Sequence, residues 1–220
     1  MMTSPLFNKT HVLDFLRVYL ITDFMRVGKS RFLGALEEAL QGGIRALQLR
    51  EKNMSPKDQL ALALEVKSMT QHYNAKLLVN DRADIAVMAE ADGVHLTEAS
   101  VQVSEVKKKF PNLIVGVSTH SIEAACLADT QGADFITFSP IYETPSKSSY
   151  GAPQGLAQLR QVTQSVHLPV LALGGINLNR VPECLENGAF GVAVISDIWD
   201  STDIKQHSSE YTHNFGGNSL

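Results

Sequence analysis

The 220-residue chain is 44% hydrophobic and 19% charged, the balance of a globular protein with enough apolar material for one substantial core. Its formal net charge of -4 argues against nucleic acid or an anionic membrane surface as a partner, because such binding draws on a basic excess. No apolar run approaches the ~18 residues of a membrane span, and the opening MMTSPLFNKTHVLDFL lacks the basic start and apolar block of a secretory leader, so a cytoplasmic location is expected.

Short β-branched or leucine-rich runs alternate along the chain with segments of helical periodicity. RVYLIT (17–22) is followed by FLGALEEALQGG (32–43), amphipathic and closed by two glycines. IRALQLR (44–50) leads into SPKDQLALALEVKSMTQHY (55–73), where Ser55 supplies an N-cap and Pro56 the first helical position. KLLVN (76–80), DGVHL (92–96) and LIVGVS (113–118) come next. SIEAACLADTQGA (121–133) again opens on a capping serine, Ser121, and stops at Gly132. After DFITF (134–138) comes the longest loop, SPIYETPSKSSYGAP (139–153), whose composition suits a lid that closes over a substrate. PVLAL (169–173) precedes LNRVPECLENGA (178–189), with Asn177 as its cap and Gly188 as its stop, and FGVAVI (190–195) is the last run.

Strict strand-helix alternation calls for an α/β fold with a parallel sheet, and eight such units favour closure into a single (β/α)8 TIM barrel. An open doubly wound sheet is the runner-up, but TDFMRVGKS (22–30) carries no GxGxxG after the first strand. The barrel domain is expected over 1–204 with a short or frayed eighth helix, and 205–220 as a flexible polar tail with little apolar periodicity. Cys126 and Cys184 lack partners at metal or redox spacing and are expected to be reduced and buried. His11, His72, His167, His207 and His213 show no metal spacing and are expected on the surface, with His95 inside strand four and Phe138, Tyr142 and Trp199 in packing roles.

The active site of such a barrel lies at the carboxyl ends of its strands. In strand two, Leu47 and Leu49 alternate with Gln48 and Arg50, so the polar pair shares a face and Lys52 follows where the strand ends. With Asn80 from strand three these make a donor-rich patch, and Asp81 is a hard oxygen ligand of the kind that Mg²⁺ on a polyphosphate requires. Strand five brings Ser118 and His120. Gly174, Gly175, Ile195 and Ser196 end strands seven and eight, where backbone amides of barrels bind phosphate. Two anion sites across one mouth are therefore expected. The competing reading of Arg50 and Lys52 is a solvated rim paired with Glu51 or Asp81, and that of the glycine pair is a tight turn.

QLREK (48–52), NDRADIA (80–86), ADGVHL (91–96), GVSTHS (116–121), GADFITFSPIYETPSK (132–147) and LALGGI (171–176) resemble, in order, the motifs of the thiamine phosphate synthase and TenI group of (β/α)8 barrels. The resemblance spans about residues 17 to 198. It implies a synthase that condenses hydroxymethylpyrimidine diphosphate with thiazole phosphate, releasing pyrophosphate with the help of Mg²⁺. Its partners are then small phosphorylated molecules, with a homo-oligomer left open. The resemblance further implies that Gln48, Arg50, Lys52 and Asn80 hold the diphosphate and that Asp81 ligates the metal. Thr144, Ser146, Gly174, Ile195 and Ser196 would hold the thiazole phosphate, with Lys147 and Ser118 near the reacting groups.

One position departs from the pattern. Ser100 stands where the synthases carry a second acidic Mg²⁺ ligand, and Glu98 is the nearest substitute. Thiazole tautomerases of the same group need neither metal nor diphosphate, and a histidine matching His120 does their acid–base work. The other role for His120 is a hydrogen bond near the helix cap at Ser121, and a non-catalytic thiazole or thiamine phosphate binding protein is a third reading. QLREK and NDR favour the synthase, because a tautomerase has no diphosphate for them to bind.

Overall fold

A computed structural model describes residues 13–144 and 152–216. Among them, eight strands lie parallel: β1 (Val18–Ile21), β2 (Ala46–Leu49), β3 (Lys76–Asn80), β4 (Gly93–Leu96), β5 (Ile114–Thr119), β6 (Phe135–Phe138), β7 (Val170–Leu173) and β8 (Gly191–Val194). They pair in chain order, and β8 returns to β1 with Val18 opposite Val192, closing the barrel. Around it run α1 (Phe32–Gln41), α2 (Pro56–His72), α3 (Ala83–Met88), α4 (Val103–Lys109), α5 (Ile122–Thr130), α6 (Gly155–Ser165), α7 (Val181–Glu186) and α8 (Ile204–His213). Single helical turns over Phe24–Val27 and Ser196–Trp199 follow β1 and β8. Among the described residues no helix is long and apolar enough to cross a membrane.

The strands read as short apolar runs because both of their faces are covered. Leu47, Leu49, Leu77, Val79, Val94 and Leu96 face the helices, while Tyr19, Ala46, Leu78, Phe135, Leu171 and Ala193 fill the interior. Tyr19 and Phe135 meet edge to face at 5.4 Å across that interior. Gly116 makes room for them: a Cβ there would stand 2.4 Å from Phe135 Cζ and 2.7 Å from His95 Nδ1.

The capping serines act as the sequence indicates, with Ser55 accepting from the Asp58 N–H and Ser121 from the Ala124 N–H. Asn177 does not. It precedes a 3₁₀ turn, Leu178–Arg180, and makes no side-chain cap bond, since the helix proper begins only at Val181. Both cysteines are free, and Cys184 is buried as expected, but Cys126 is only partly so.

The expected flexible tail is corrected by α8. Residues 204–213 form a helix packed beside α1, with Ile204, Ser208 and Tyr211 buried. Ile204 and Tyr211 join the hydrophobic core, and Ser208 between them allows close approach, since a Cβ on Gly42 would lie 2.6 Å from Ser208 Cβ. Asp197 completes the docking by accepting from Tyr211 Oη at 2.8 Å and pairing with His207 Nε2 at 2.7 Å, so His207 is a packing residue and not a free surface histidine. The eighth helical position is thus occupied in two pieces, one turn and then α8.

At the amino-terminal end of the barrel the charges are matched. Asp92 takes Lys67, Lys76 and the Leu77 N–H, and Asp134 takes Lys107 and the Val115 N–H. Although burial alone would raise it, these donors hold the Asp92 carboxyl below the usual range.

Gly116→Ala is expected to destabilise the fold by about 1–3 kcal/mol, the usual cost of overpacking a filled interior. Equilibrium urea unfolding measures it, and an unchanged midpoint would mean that the Tyr19, Phe135 and His95 layer has slack.

Candidate active site

At the carboxyl ends of the strands a cavity of about 290 Å³ opens, lined from β2 by Gln48, Arg50 and Lys52 and from β3 by Asn80. Ser118 and His120 reach it from β5, and Gly174 and Ile195 from the ends of β7 and β8. Ile21, Thr97, Ser139, Pro140 and Leu173 complete the lining. Eight residues picked from sequence thus meet in one cavity. Gly175 and Ser196 sit one position further along their loops, Asp81 follows Asn80, and Thr144 ends the described part of the β6 loop, none of them in the lining itself. Ser146 and Lys147 lie outside the described residues, as does the central part of the expected lid. Thr97 and Ser139 escaped the sequence reading, although both directly follow a strand and that position alone singles them out.

Of the two cations after β2, Arg50 is held by its backbone, and among the described residues neither is paired at its tip. The Arg50 N–H donates to Thr22 Oγ1 at 3.0 Å, and the Thr22 hydroxyl donates to Glu51 Oε1. Glu51 also accepts the Phe24 N–H at 3.1 Å. Burial pushes its carboxyl above the usual range. The acid of QLREK is therefore spent on the loop after β1 instead of on its neighbours. Among the described residues neither Arg50 nor Lys52 makes a salt bridge, in contrast to the lysines at the other end of the barrel. Beside them Gln48 Nε2 reaches Asn80 Oδ1 at 3.5 Å, which turns the Asn80 amide N–H groups away from Gln48.

Asp81 takes a left-handed backbone, φ 61°, and its Oδ1 accepts the hydroxyl of Ser100. Ser100 is fixed in turn by the Thr97 N–H at 2.8 Å. Glu98, the nearest substitute for the missing acid, has one oxygen engaged elsewhere: its Oε1 accepts the His120 N–H at 2.9 Å, at the start of α5. Among the described residues no three acidic, histidine or cysteine side chains gather as a metal cage. Asp81 alone still fits an Mg²⁺ ion that arrives on a diphosphate, since such an ion takes one or two carboxylates and fills its shell with phosphate and water.

On the far side, His120 Nδ1 lies 2.7 Å from the Ser139 carbonyl, so that nitrogen carries a hydrogen, and Nε2 of the neutral ring would be an acceptor. The β6 loop is bound to the end of β7 by Ile141 N–H to Leu173 O at 2.9 Å and Tyr142 N–H to Gly174 O at 3.0 Å. Arg180 donates to the Gly175 carbonyl and lies over the Tyr142 ring at 4.2 Å. These contacts explain the glycine pair. Both residues have positive φ, and a Cβ would strike Pro140 at 2.7 Å from Gly174, or Tyr142 at 2.8 Å from Gly175. The missing side chains admit the β6 loop, a demand separate from any approach to phosphate.

Fold and site define a (β/α)8 barrel with an uncompensated cationic mouth. The family model described as thiamine monophosphate synthase matches residues 18–198. The chain is 48% identical over 180 residues to a putative thiamine-phosphate synthase 2 of Aquifex aeolicus, covering 82% of this chain and 96% of that one. It is 45% identical over 192 residues to a putative thiamine-phosphate synthase of Geobacter sulfurreducens, covering 87% and 90%. Among solved structures, thiamine phosphate pyrophosphorylase from Pyrococcus furiosus superposes with a TM-score of 0.84 at 33% identity, covering 92% and 96%. The chain belongs to the thiamine monophosphate synthase family.

Ser100→Asp removes a donor from Asp81 and sets a second negative charge beside it. In metal-free buffer Tm is expected to fall by about 2–4 °C, equivalent to about 1 kcal/mol for a domain of this size. Mn²⁺ or Mg²⁺ is expected to restore it, raising Tm more in the variant than in the parent. Equal responses to the cation in thermal melts would remove Asp81 from consideration as a metal ligand.

Proposed function

We propose that this protein is a thiamine phosphate synthase, joining hydroxymethylpyrimidine diphosphate to thiazole phosphate. The observation that carries the reading is the pair of unpaired cations, Arg50 and Lys52, at a barrel mouth in a chain of this family. Arg50 is half-buried and Lys52 exposed, neither makes a salt bridge among the described residues, and a diphosphate supplies the partner. Gln48 and Asn80 add neutral donors to the same anion.

In the reaction the C–O bond to the diphosphate breaks, and its electron pair leaves with the pyrophosphate. The electron-rich pyrimidine carries the resulting positive charge until the thiazole nitrogen forms the new C–N bond. The chain's work is to stabilise the departing negative charge and to aim the nitrogen. Arg50, Lys52, Gln48 and Asn80 perform the first task. Asp81 would hold Mg²⁺, which when bound supplies further neutralisation of the diphosphate. For the second task the thiazole phosphate would rest on the loops after β6, β7 and β8, at Thr144, Gly174, Gly175, Ile195 and Ser196, with Ser118 beside the reacting atoms; the roles that the family resemblance implies for Ser146 and Lys147 fall outside the described residues. We place this reaction on small phosphorylated substrates in the cytoplasm.

The geometry of His120 favours one second reading, a thiazole tautomerase. With Nδ1 committed to Ser139, the Nε2 lone pair is available for proton transfer to a ligand in the cavity.

Purified protein given both substrates and Mg²⁺ is expected to form thiamine phosphate, and Arg50→Ala or Lys52→Ala to lower kcat/KM by about 100-fold or more, as removal of a charge stabiliser does. If the cation variants keep full activity, the diphosphate assignment is wrong. Proton exchange on a thiazole carboxylate phosphate that survives chelation and disappears in His120→Ala, with no thiamine phosphate formed, selects the tautomerase instead.

A further inference from the structure

Beneath the mouth three polar groups stand in single file through the barrel interior. Tyr19 Oη lies 3.3 Å from His95 Nδ1, and His95 Nε2 lies 3.0 Å from Ser118 Oγ, which opens on the cavity. Tyr19 and His95 are both buried, and Tyr19 belongs to the apolar cluster of Leu16, Phe135, Leu171 and Ala193. Among the described residues His95 Nδ1 is the one hydrogen-bond partner of the phenol.

Counting donors fixes where the hydrogens lie. A phenol has one hydrogen to give, and a neutral imidazole has one N–H and one lone pair. His95 is buried against Tyr19 and Phe135, and among the described residues no acidic side chain is hydrogen-bonded to its ring, so the imidazole is neutral. Burial likewise pushes the Tyr19 phenol well above its ordinary value, so it keeps its hydrogen. If Nδ1 carried the ring hydrogen, Tyr19 would accept it and strand its own O–H in an apolar layer, forfeiting the whole desolvation cost of that group. The satisfied arrangement has the phenol donating to Nδ1 and Nε2–H donating to Ser118 Oγ. Ser118 then accepts from below, and its own hydrogen is free only toward the cavity.

We propose that Tyr19 and His95 are positioning residues that fix the Ser118 hydroxyl as a hydrogen-bond donor to the ligand, so that the group above Ser118 is an acceptor on the pyrimidine diphosphate. The chemistry is that of a lone pair, on a phosphate oxygen or on a ring nitrogen. Identifying the acceptor with that substrate rests on the synthase reading, whereas the direction of the hydrogen bonds does not. Gly116 belongs to the same device, because a side chain there would displace the His95 ring.

Nitrogen-15 NMR on the histidine-labelled full chain reads the direction without turnover. His95 is expected as the Nε2–H tautomer, and an Nδ1–H tautomer overturns the proposal. Tyr19→Phe keeps the ring packing but removes the donor, so the tautomer preference should be lost and kcat/KM should fall about tenfold, the effect of one buried hydrogen bond. In a Ser118→Ala background the same change should cost nothing further; an equal loss there means that Tyr19 does not act through Ser118. Titration of Ser118→Ala with inorganic pyrophosphate and with hydroxymethylpyrimidine distinguishes the two acceptors, and unaltered affinity for both overturns the ligand contact. A protein that makes no thiamine phosphate but shows the Nε2–H tautomer would lose the synthase reading and retain the relay.

Discussion

The pairing of β8 with β1 is the constraint on which the site depends. Closing the sheet gives each strand an interior face and a helix-covered face, so alternate residues are forced inward. Near the amino-terminal end the inward positions are apolar, Tyr19, Ala46, Leu78, Phe135, Leu171 and Ala193. Further up, β2 and β3 present Gln48 and Asn80, and β4 and β5 present His95 and Ser118, where polar atoms find one another or the opening. A slip of one residue in β2 would send Gln48 among the helices and Leu49 into the mouth. Closure therefore sets which side chains meet, before any of them interacts with a ligand.

The two ends of the barrel use charge in opposite ways. At the amino-terminal end Lys67, Lys76 and Lys107 are matched to Asp92 and Asp134, and backbone N–H groups use the remaining carboxylate capacity. At the mouth the nearest acid, Glu51, is withdrawn to Thr22 and the Phe24 N–H, and Arg50 and Lys52 remain unmatched. Cations left without an acidic partner among the described residues, at the carboxyl ends of the strands, are what a site built for an anion would present.

Much of this was legible in the sequence because two-sided burial writes each strand as a short apolar run. The capping serines Ser55 and Ser121 mark the helices between them by local chemistry alone. The polar residues at strand ends follow from the same alternation, which is why Gln48, Arg50, Asn80 and Ser118 were found together. What escaped depends on tertiary partners. The helix α8 buries only Ile204, Ser208 and Tyr211 in an otherwise polar segment, with Ser208 against Gly42, so it reads as a tail. Glu51 reads as a rim acid until Thr22 is brought beside it by strand pairing. Glu98 reads as a stand-in for the residue at Ser100, yet a helix start engages one of its oxygens.

The rim is strapped loop to loop by polar atoms that lie off the cavity. Thr22 and Glu51 bind the loop after β1 to that after β2, and Asp81 and Ser100 bind those after β3 and β4. Glu98 carries the series to His120, whose ring holds the Ser139 carbonyl, and Tyr142 and Arg180 fix the loop after β7. Two of the straps use one atom of a cavity residue and leave another for the mouth: the N–H of Arg50 but not its guanidinium, Nδ1 of His120 but not Nε2. Donors held in this way need little rearrangement when an anion arrives, so the ordering cost is met during folding and not in the reaction. Preorganisation of this kind serves both proposed readings of the mouth, since the same straps would aim cations at a diphosphate or an imidazole nitrogen toward a ligand.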